Sequence, residues 1–303
     1  MKRGNNGKSD AHPRLGIAFS GGASRGFAHI GVLQALKEAN IRPDLLAGTS
    51  IGALIAAMYA FGVALPTMRE QAEAMSWLRI ARLNIPRTGI LSNEVLGEIV
   101  RKHLGDVAIE DSPIPLAVVC TNIANGDKVV LREGNLARAI MASSAIPGVY
   151  TPVQVDRELL VDGFLVENVP ILPLQDMGAE VILGVHLGRL IDYRPPSSIT
   201  NIMLNAFEIA IDAHALTTMQ YADVIIEPRL ERAPDTGRAD RDDKALGDLY
   251  YRLGYAAGRN ALAPLRRITE SRRRLLYPRP MDRIRNLFNP PRKPHHAPAV
   301  IHE

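Results

Sequence analysis

Leu45-Leu46-Ala47-Gly48-Thr49-Ser50-Ile51-Gly52-Ala53-Leu54 decides how this chain is to be read. Leu45 to Ala47 is a short apolar run suited to a buried strand. Residues 51–61 form a continuous apolar run, rich in alanine and leucine, suited to a buried helix. Between them Gly48-Thr49-Ser50-Ile51-Gly52 fits a nucleophile elbow, a serine on a sharp strand-to-helix turn. A larger side chain at 48 or 52 would collide with the adjoining strand and helix, so glycine closes the turn. The turn pushes the Ser50 hydroxyl into the open, at the positive end of the helix that follows. Ser50 is therefore the candidate nucleophile.

Upstream, residues 14–20 read as a short apolar strand that runs straight into Gly21-Gly22-Ala23-Ser24-Arg25-Gly26. From Phe27 the apolar positions Ile30, Leu33 and Leu36 recur at the spacing of a helix with one buried face. A P-loop would need Lys and Ser/Thr after the last glycine, where Phe27 and Ala28 stand. A dinucleotide fingerprint would need glycine at position 23, which is Ala. A third use fits better. Successive N–H groups of small residues between strand and helix form a nest that binds an oxyanion. Arg25 is read as support for that loop before it is read as a substrate contact.

Downstream, a helix is expected from Ser92 to about Leu104, then strands at 115–121 and 128–131 joined by Asn125-Gly126-Asp127. Further helices are expected at 136–144, 201–219 and 244–262, and further strands at 159–161, 181–186 and 224–226. Alternation of this kind implies a three-layer α/β/α fold with a mainly parallel central sheet. Residues 64–89, with Trp77 and several arginines, find no place in that core and read as a lid. The chain divides into a flexible N-terminal segment (1–13), one catalytic domain (14–263) and a basic, Pro/Arg-rich C-terminal tail (264–303).

A serine nucleophile needs a base. Of eight histidines, His12, His295, His296 and His302 fall in expected tails. His29 reads as a packing residue, His103 as a helix-end cation and His214 as mid-helix. His186, at the end of an apolar strand, is the one triad candidate, in Ser–Asp–His order. The other candidate base is Asp162 in L-L-V-D-G-F-L-V-E-N-V-P, where a strand delivers a carboxylate onto a glycine turn. Cys120 lies in an apolar strand and reads as a small core hydrophobe; a lone cysteine cannot form an internal disulfide.

Hydrophobic residues make up 47% and charged ones 22%, which is ordinary globular composition. The longest apolar run, 51–65, is too short to cross a bilayer. A basic start without a following apolar stretch is not a signal peptide. These features lead to an expected cytoplasmic location, peripheral at most to the inner membrane face. The net charge is only +4, but ten of the basic residues fall in 264–303 against Glu270, Asp282 and Glu303. Such a tail attracts anionic lipid. Nucleic acid is excluded as a partner, because aromatics are only 5% and no recognition module appears.

Three blocks, S-G-G-A-S-R-G-F-A-H-I-G-V-L at 20–33, G-T-S-I-G at 48–52 and D-G-F-L-V-E-N-V-P at 162–170, resemble in order the signature blocks of the patatin-like phospholipases. C-T-N-I-A-N-G-D-K-V-V-L at 120–131 and A-S-S-A-I-P-G-V-Y-T-P-V at 142–153 resemble that family's intervening segments. The resemblance runs from about residue 15 to about 226 and is nearest to the bacterial single-domain type. It implies a patatin-like fold and a Ser50–Asp162 dyad, with Gly21, Gly22 and Ala23 as oxyanion hole. Arg25 and Gly26 would support that loop, and Gly48 and Gly52 would shape the elbow. It also implies acyl-ester hydrolysis of phospholipids or lysophospholipids through an acyl-enzyme, without metal or cofactor. Two positions depart from the family: Ala23 replaces a usual glycine, and Phe164 a usual small residue after Asp-Gly. Two other readings stand beside this one. The first is an α/β-hydrolase esterase with a Ser50–Asp162–His186 triad. The second is a regulatory scaffold on the same fold, acting through the basic tail.

Overall fold

Leu15, Ile17 and Phe19 alternate with Gly16 and Ala18 along the first strand, and that alternation divides the molecule into two cores. In the computed structural model, which describes residues 12–74, 92–188, 199–230, 239–276 and 298–302, the first three enter a large core on one face of a sheet. Ala18 enters a smaller core on the other. A strand must alternate faces in this way.

The sheet comprises β1 (Leu15–Phe19), β2 (Leu45–Thr49), β3 (Leu116–Asn122), β4 (Lys128–Leu131), β5 (Val153–Val155), β6 (Glu158–Asp162), β7 (Val181–Val185), β8 (Val224–Ile226) and β9 (Ala299–Ile301). Strand partners run β5-β6-β3-β2-β1-β7-β8-β9, with β4 also on β3. β1, β2, β3, β7, β8 and β9 are mutually parallel, while β4 and β6 run antiparallel to β3 and β5 to β6. The expected parallel sheet is thus present, with an antiparallel region around β3.

The large core is covered by α1 (Phe27–Glu38), α2 (Ile51–Ala60), α3 (Leu65–Ala74), α4 (Glu94–Leu104), α5 (Leu136–Ser143) and α8 (Ala239–Leu276). The smaller core, rich in alanine on the strand side, lies under α6 (Ile171–Asp176) and α7 (Ile199–Met219). Three layers result.

Four elements escaped the sequence. α3 occupies the start of the segment read as a lid, while 75–91, with Trp77, lies outside the described residues. β5, α6 and β9 are short and carry little periodicity of their own. The described parts of 264–303 are structured. α8 continues through Pro264 to Leu276, because Leu265 and Ile268 pack on the core and outweigh the missing proline donor. β9 adds a parallel strand beside β8.

Candidate active site

One edge of β3 places the two candidate groups side by side. Val118 and Val119 pair with both β2 and β4, so β2 and β4 hold opposite edges. Cys120 and Thr121 pair with both β4 and β6, so β6 lies on the edge that β2 occupies. β2 ends at Thr49, opposite Val119. β6 approaches head-on and ends at Asp162, opposite Cys120. Ser50 and Asp162, 112 positions apart in sequence, therefore emerge at adjacent places on one strand edge.

Ser50 has φ 55° and ψ −127°, a left-handed backbone that disfavours any residue but glycine. The glycines around it are needed for close approach. A Cβ at Gly48 would lie 2.4 Å from Ala53 Cα, and one at Gly52 would lie 2.3 Å from the Phe19 carbonyl oxygen. The strained turn is held from outside. Ser50 N–H donates to Ser143 Oγ at 2.8 Å, and Ser143 Oγ donates to Val119 O at 2.6 Å. The hydroxyl thus bridges the nucleophile's amide to β3 where the ladder can no longer reach. Thr49 Oγ1 donates to Glu167 O at 2.9 Å.

Asp162 is wholly buried. Its amide donates to Ala145 O at 3.0 Å, its Oδ1 accepts the Phe164 amide at 3.1 Å, and its carbonyl accepts Thr121 Oγ1 at 2.9 Å. Burial raises the carboxyl pKa from 3.8 to about 7, against the Ser50 hydroxyl and the Phe164 amide, which both lower it. Oδ2 is buried and lacks a well-formed hydrogen bond, although the Ser50 hydroxyl is near enough to act on its ionisation. Serine hydroxyl and carboxyl are thus neighbours. Gly163 lets the chain turn away here, since a Cβ would sit 2.3 Å from Val119 O. The Phe164 ring packs on Phe207 of α7, with centroids 5.8 Å apart.

The glycine loop after β1 already holds one of its amides in a bond. Gly21 N–H donates to Asn168 Oδ1 at 3.0 Å and so is already engaged, because a single amide serves one good acceptor. Among the described residues the amides of Gly22 and Ala23 have no such partner. Ala23 has φ 50°, so the alanine in the family's glycine position is held in the left-handed region. Arg25 supports the loop: Nε donates to Gly22 O at 3.0 Å, and a second nitrogen donates to Gly188 O beyond β7. Gly26 packs against Ile51 of the elbow helix, with space for no Cβ (2.6 Å).

His29 is buried, bonds Ser20 O through Nε2 at 2.8 Å and sits edge-on to Phe19; burial pushes its pKa down to about 3, so it is a neutral packing group. His186 turns to another carboxylate. Its Nδ1 faces Glu227 Oε1 at 3.4 Å, and no hydrogen bond joins it to Asp162 or Ser50 among the described residues. His103 bonds Gln71, His12 faces Asp44, and His302 approaches Glu227 O. His295, His296 and the side chain of His214 lie outside the described residues. Cys120 is buried, its thiol pKa raised by desolvation and by nearby Asp162. A cavity of about 630 Å³ between α4, α5 and β5 is lined by Asn93, Arg101, Arg138 and Met141 and contains neither Ser50 nor Asp162.

Sequence reasoning missed Ser143, Glu167 and Asn168. All three lie inside blocks that resemble the family, but nothing in their spacing reveals their partners. Glu167 is almost fully buried, meeting Lys128 Nζ at 2.7 Å and the Leu172 amide at 2.9 Å, which fixes the loop from which Asn168 projects.

The chain is 38% identical over 183 residues to an uncharacterised NTE family protein of Mycobacterium tuberculosis, covering 59% of this chain and 51% of that one. It is 29% identical to a lysophospholipase of Aspergillus niger over 84% of this chain and 18% of that one. It is 32% identical to the neuropathy target esterase of Drosophila melanogaster over 57% and 13%. The chain thus spans about half the length of the mycobacterial relative and under a fifth of the other two. The crystal structure of VipD from Legionella pneumophila superposes with TM-score 0.55 at 14% identity, over 85% of this chain and 67% of that one, a likeness of fold. The patatin-like phospholipase profile matches residues 17–174, a span that contains the glycine loop, the elbow and the Asp162 turn, and the chain belongs to that family.

Proposed function

We propose that this protein is a serine acyl hydrolase of lipids, of phospholipase A or lysophospholipase type, in which Ser50 is the nucleophile and Asp162 the base. The observation that carries this reading is a hydroxyl on a strained elbow beside a fully buried carboxyl whose pKa is about 7. A carboxylate of ordinary pKa is too weak a base near neutrality; one at about 7 is half ionised there and matched to the task. Asp162 takes the proton as Ser50 Oγ attacks the ester carbonyl, and the tetrahedral oxyanion forms beside the glycine loop. The amides of Gly22 and Ala23 are the donors available to it, each worth about 3–4 kcal/mol of barrier lowering. The alcohol or lysolipid leaves with that proton. Water, deprotonated by Asp162, then cleaves the acyl-enzyme.

Phospholipid and lysophospholipid are the proposed substrates, in keeping with the lysophospholipase among the relatives. Attraction of the basic C-terminal region to anionic lipid at the inner membrane face belongs to the same reading. Its strength is less than the residue count suggests, because Arg272 is paired with Asp223 at 2.7 Å and Arg274 with Glu270 at 3.0 Å.

Ser50→Ala tests the reading directly. It should abolish both ester hydrolysis and labelling by a fluorophosphonate; labelling that survives the substitution would falsify the nucleophile. Asp162→Asn should collapse turnover of a p-nitrophenyl ester, while His186→Ala costs little. The reverse ranking would restore the triad.

A further inference from the structure

Helix α7 turns an apolar stripe to solvent. Ile202, Ala206, Ile209, Ala213 and Leu216 follow one another at steps of four and three residues, which places them on one stripe, and all five are exposed. The large ones are well out in water: Ile202 54%, Ile209 54% and Leu216 69% exposed. Met203, 40% exposed, flanks the stripe, and Tyr221, 52% exposed, follows the helix end. None of the five stripe residues is charged. The opposite side, with Ala215, Thr218 and Met219, is buried on the sheet.

The position of this helix matters as much as its composition. Phe207 packs on Phe164, two residues past Asp162. Met203 lies where a Cβ on Gly148 would come within 2.8 Å of its methyl, in the loop between α5 and β5. The helix that carries the stripe therefore packs, through Phe207 and Met203 on its flank, beside the turn that follows Asp162 and the loop before β5.

We infer that the outer face of α7 docks on the surface of a lipid aggregate and so sets the site mouth against the layer from which substrate is drawn. The inference rests on the lipid-hydrolase reading above for its occupant. Transfer of an acyl lipid is easiest when it does not cross water, and an apolar stripe on a helix packed beside the Asp162 turn provides that contact. No helix among the described residues is long and apolar enough to cross a membrane, so α7 lies on the surface. From 202 to 216 it presents about 21 Å of helix, and binding of such a helix grows with the apolar area it buries. A tyrosine beyond the last turn suits the boundary between hydrocarbon and water. Tail-driven attraction would behave differently, since screening by salt weakens it and leaves apolar docking intact.

The experiment is co-sedimentation of the full chain with phosphatidylcholine vesicles, and with vesicles containing anionic phosphatidylglycerol, at low salt and at about 0.5 M salt. Wild-type protein should sediment with the vesicles equally at both. Ile209→Glu and Leu216→Glu should each lower the bound fraction at least about fivefold, with unchanged melting temperature. Ile209→Gln and Leu216→Gln give the same test without new charge. Ser50→Ala should sediment as wild type does, because docking needs no turnover. Vesicle binding that the α7 variants leave untouched overturns the inference. So does binding confined to anionic vesicles and lost in salt, which assigns the contact to the C-terminal region. A wild-type dimer that the glutamate variants split, with no vesicle binding, also overturns it and assigns the face to a second copy. If α7-dependent docking appears but no esterase activity does, the hydrolase reading fails while the docking face stands.

Discussion

Asn168 Oδ1 accepts the N–H of Gly21 at 3.0 Å, so one hydrogen bond ties the loop that follows Asp162 to the glycine loop that follows β1. The proposed base and the proposed oxyanion donors lie on these two segments, which this bond links. Asn168→Ala leaves a buried amide without an acceptor, at a cost of about 1–3 kcal/mol of stability. The expected kinetic result is a fall in kcat with little change in KM, because the displaced groups act in the transition state. A rise in KM at constant kcat would refute this positioning role.

Ser143 performs a related task for Ser50. Its hydroxyl accepts from Ser50 N–H and donates to Val119 O. Ser143→Ala strands both groups, so thermal unfolding should show a loss at the upper part of about 1–3 kcal/mol. Fluorophosphonate labelling of Ser50 should slow as well. Unaltered labelling kinetics would show that the elbow holds its shape unaided.

Ionisation of Asp162 links activity and stability in opposite senses. Its folded pKa is raised to about 7 from 3.8, so between those values the folded chain keeps a proton that the unfolded chain has lost. Stability contributed by this group is therefore complete below about pH 4 and is lost as pH rises toward 7, in all about 4 kcal/mol. Asp162→Asn should melt higher than wild type at pH 8 and nearly level with it at pH 4. The wild-type kcat/KM on a soluble ester should rise with pH through an inflection near 7. A profile already flat from pH 5 upward would contradict the buried base.

Close approach, not backbone freedom, explains Gly52. A Cβ there meets the Phe19 and Ser20 carbonyl oxygens at 2.3 and 2.5 Å, whereas Gly62, at φ 82°, has nothing within 4 Å. Gly62→Ala should cost about 1–2 kcal/mol through its left-handed backbone alone. Gly52→Ala should cost about 3 kcal/mol, because rigid backbone has to shift. Denaturant melts that rank the two the other way would remove the steric account of the elbow.

Ala23 offers a gentler probe. Its φ of 50° strains an alanine by about 1–2 kcal/mol, while glycine loosens the unfolded chain by about 0.4–1 kcal/mol. Ala23→Gly should therefore be neutral to slightly stabilising by thermal melt, with kcat/KM undiminished. A marked loss of stability would mean that the alanine methyl packs usefully in the loop.

Much of this architecture could be read from local pattern. Strand alternation at Leu15–Phe19, the apolar helix after Ser50 and the glycines at 48 and 52 each depend on neighbours a few residues away. Such neighbours determine backbone shape directly. The elbow, the glycine loop and the aspartate turn were legible for that reason. β9 and the last turns of α8 were not, because their stability comes from β8 and from the core under Leu265, far away in sequence.

The sequence by itself determined which groups are presented: a hydroxyl on a turn that demands glycine, a carboxylate on a strand end, and a run of small residues rich in free amides. Only the tertiary structure decided who meets whom. That β6 meets β2 head-on along one edge of β3, that Asn168 takes the Gly21 amide and that His186 faces Glu227 instead of Asp162 are all long-range pairings. Each is settled by how strands register and how side chains exclude water in a shared core. A hydrogen bond across 147 residues leaves no mark in the local pattern at either end.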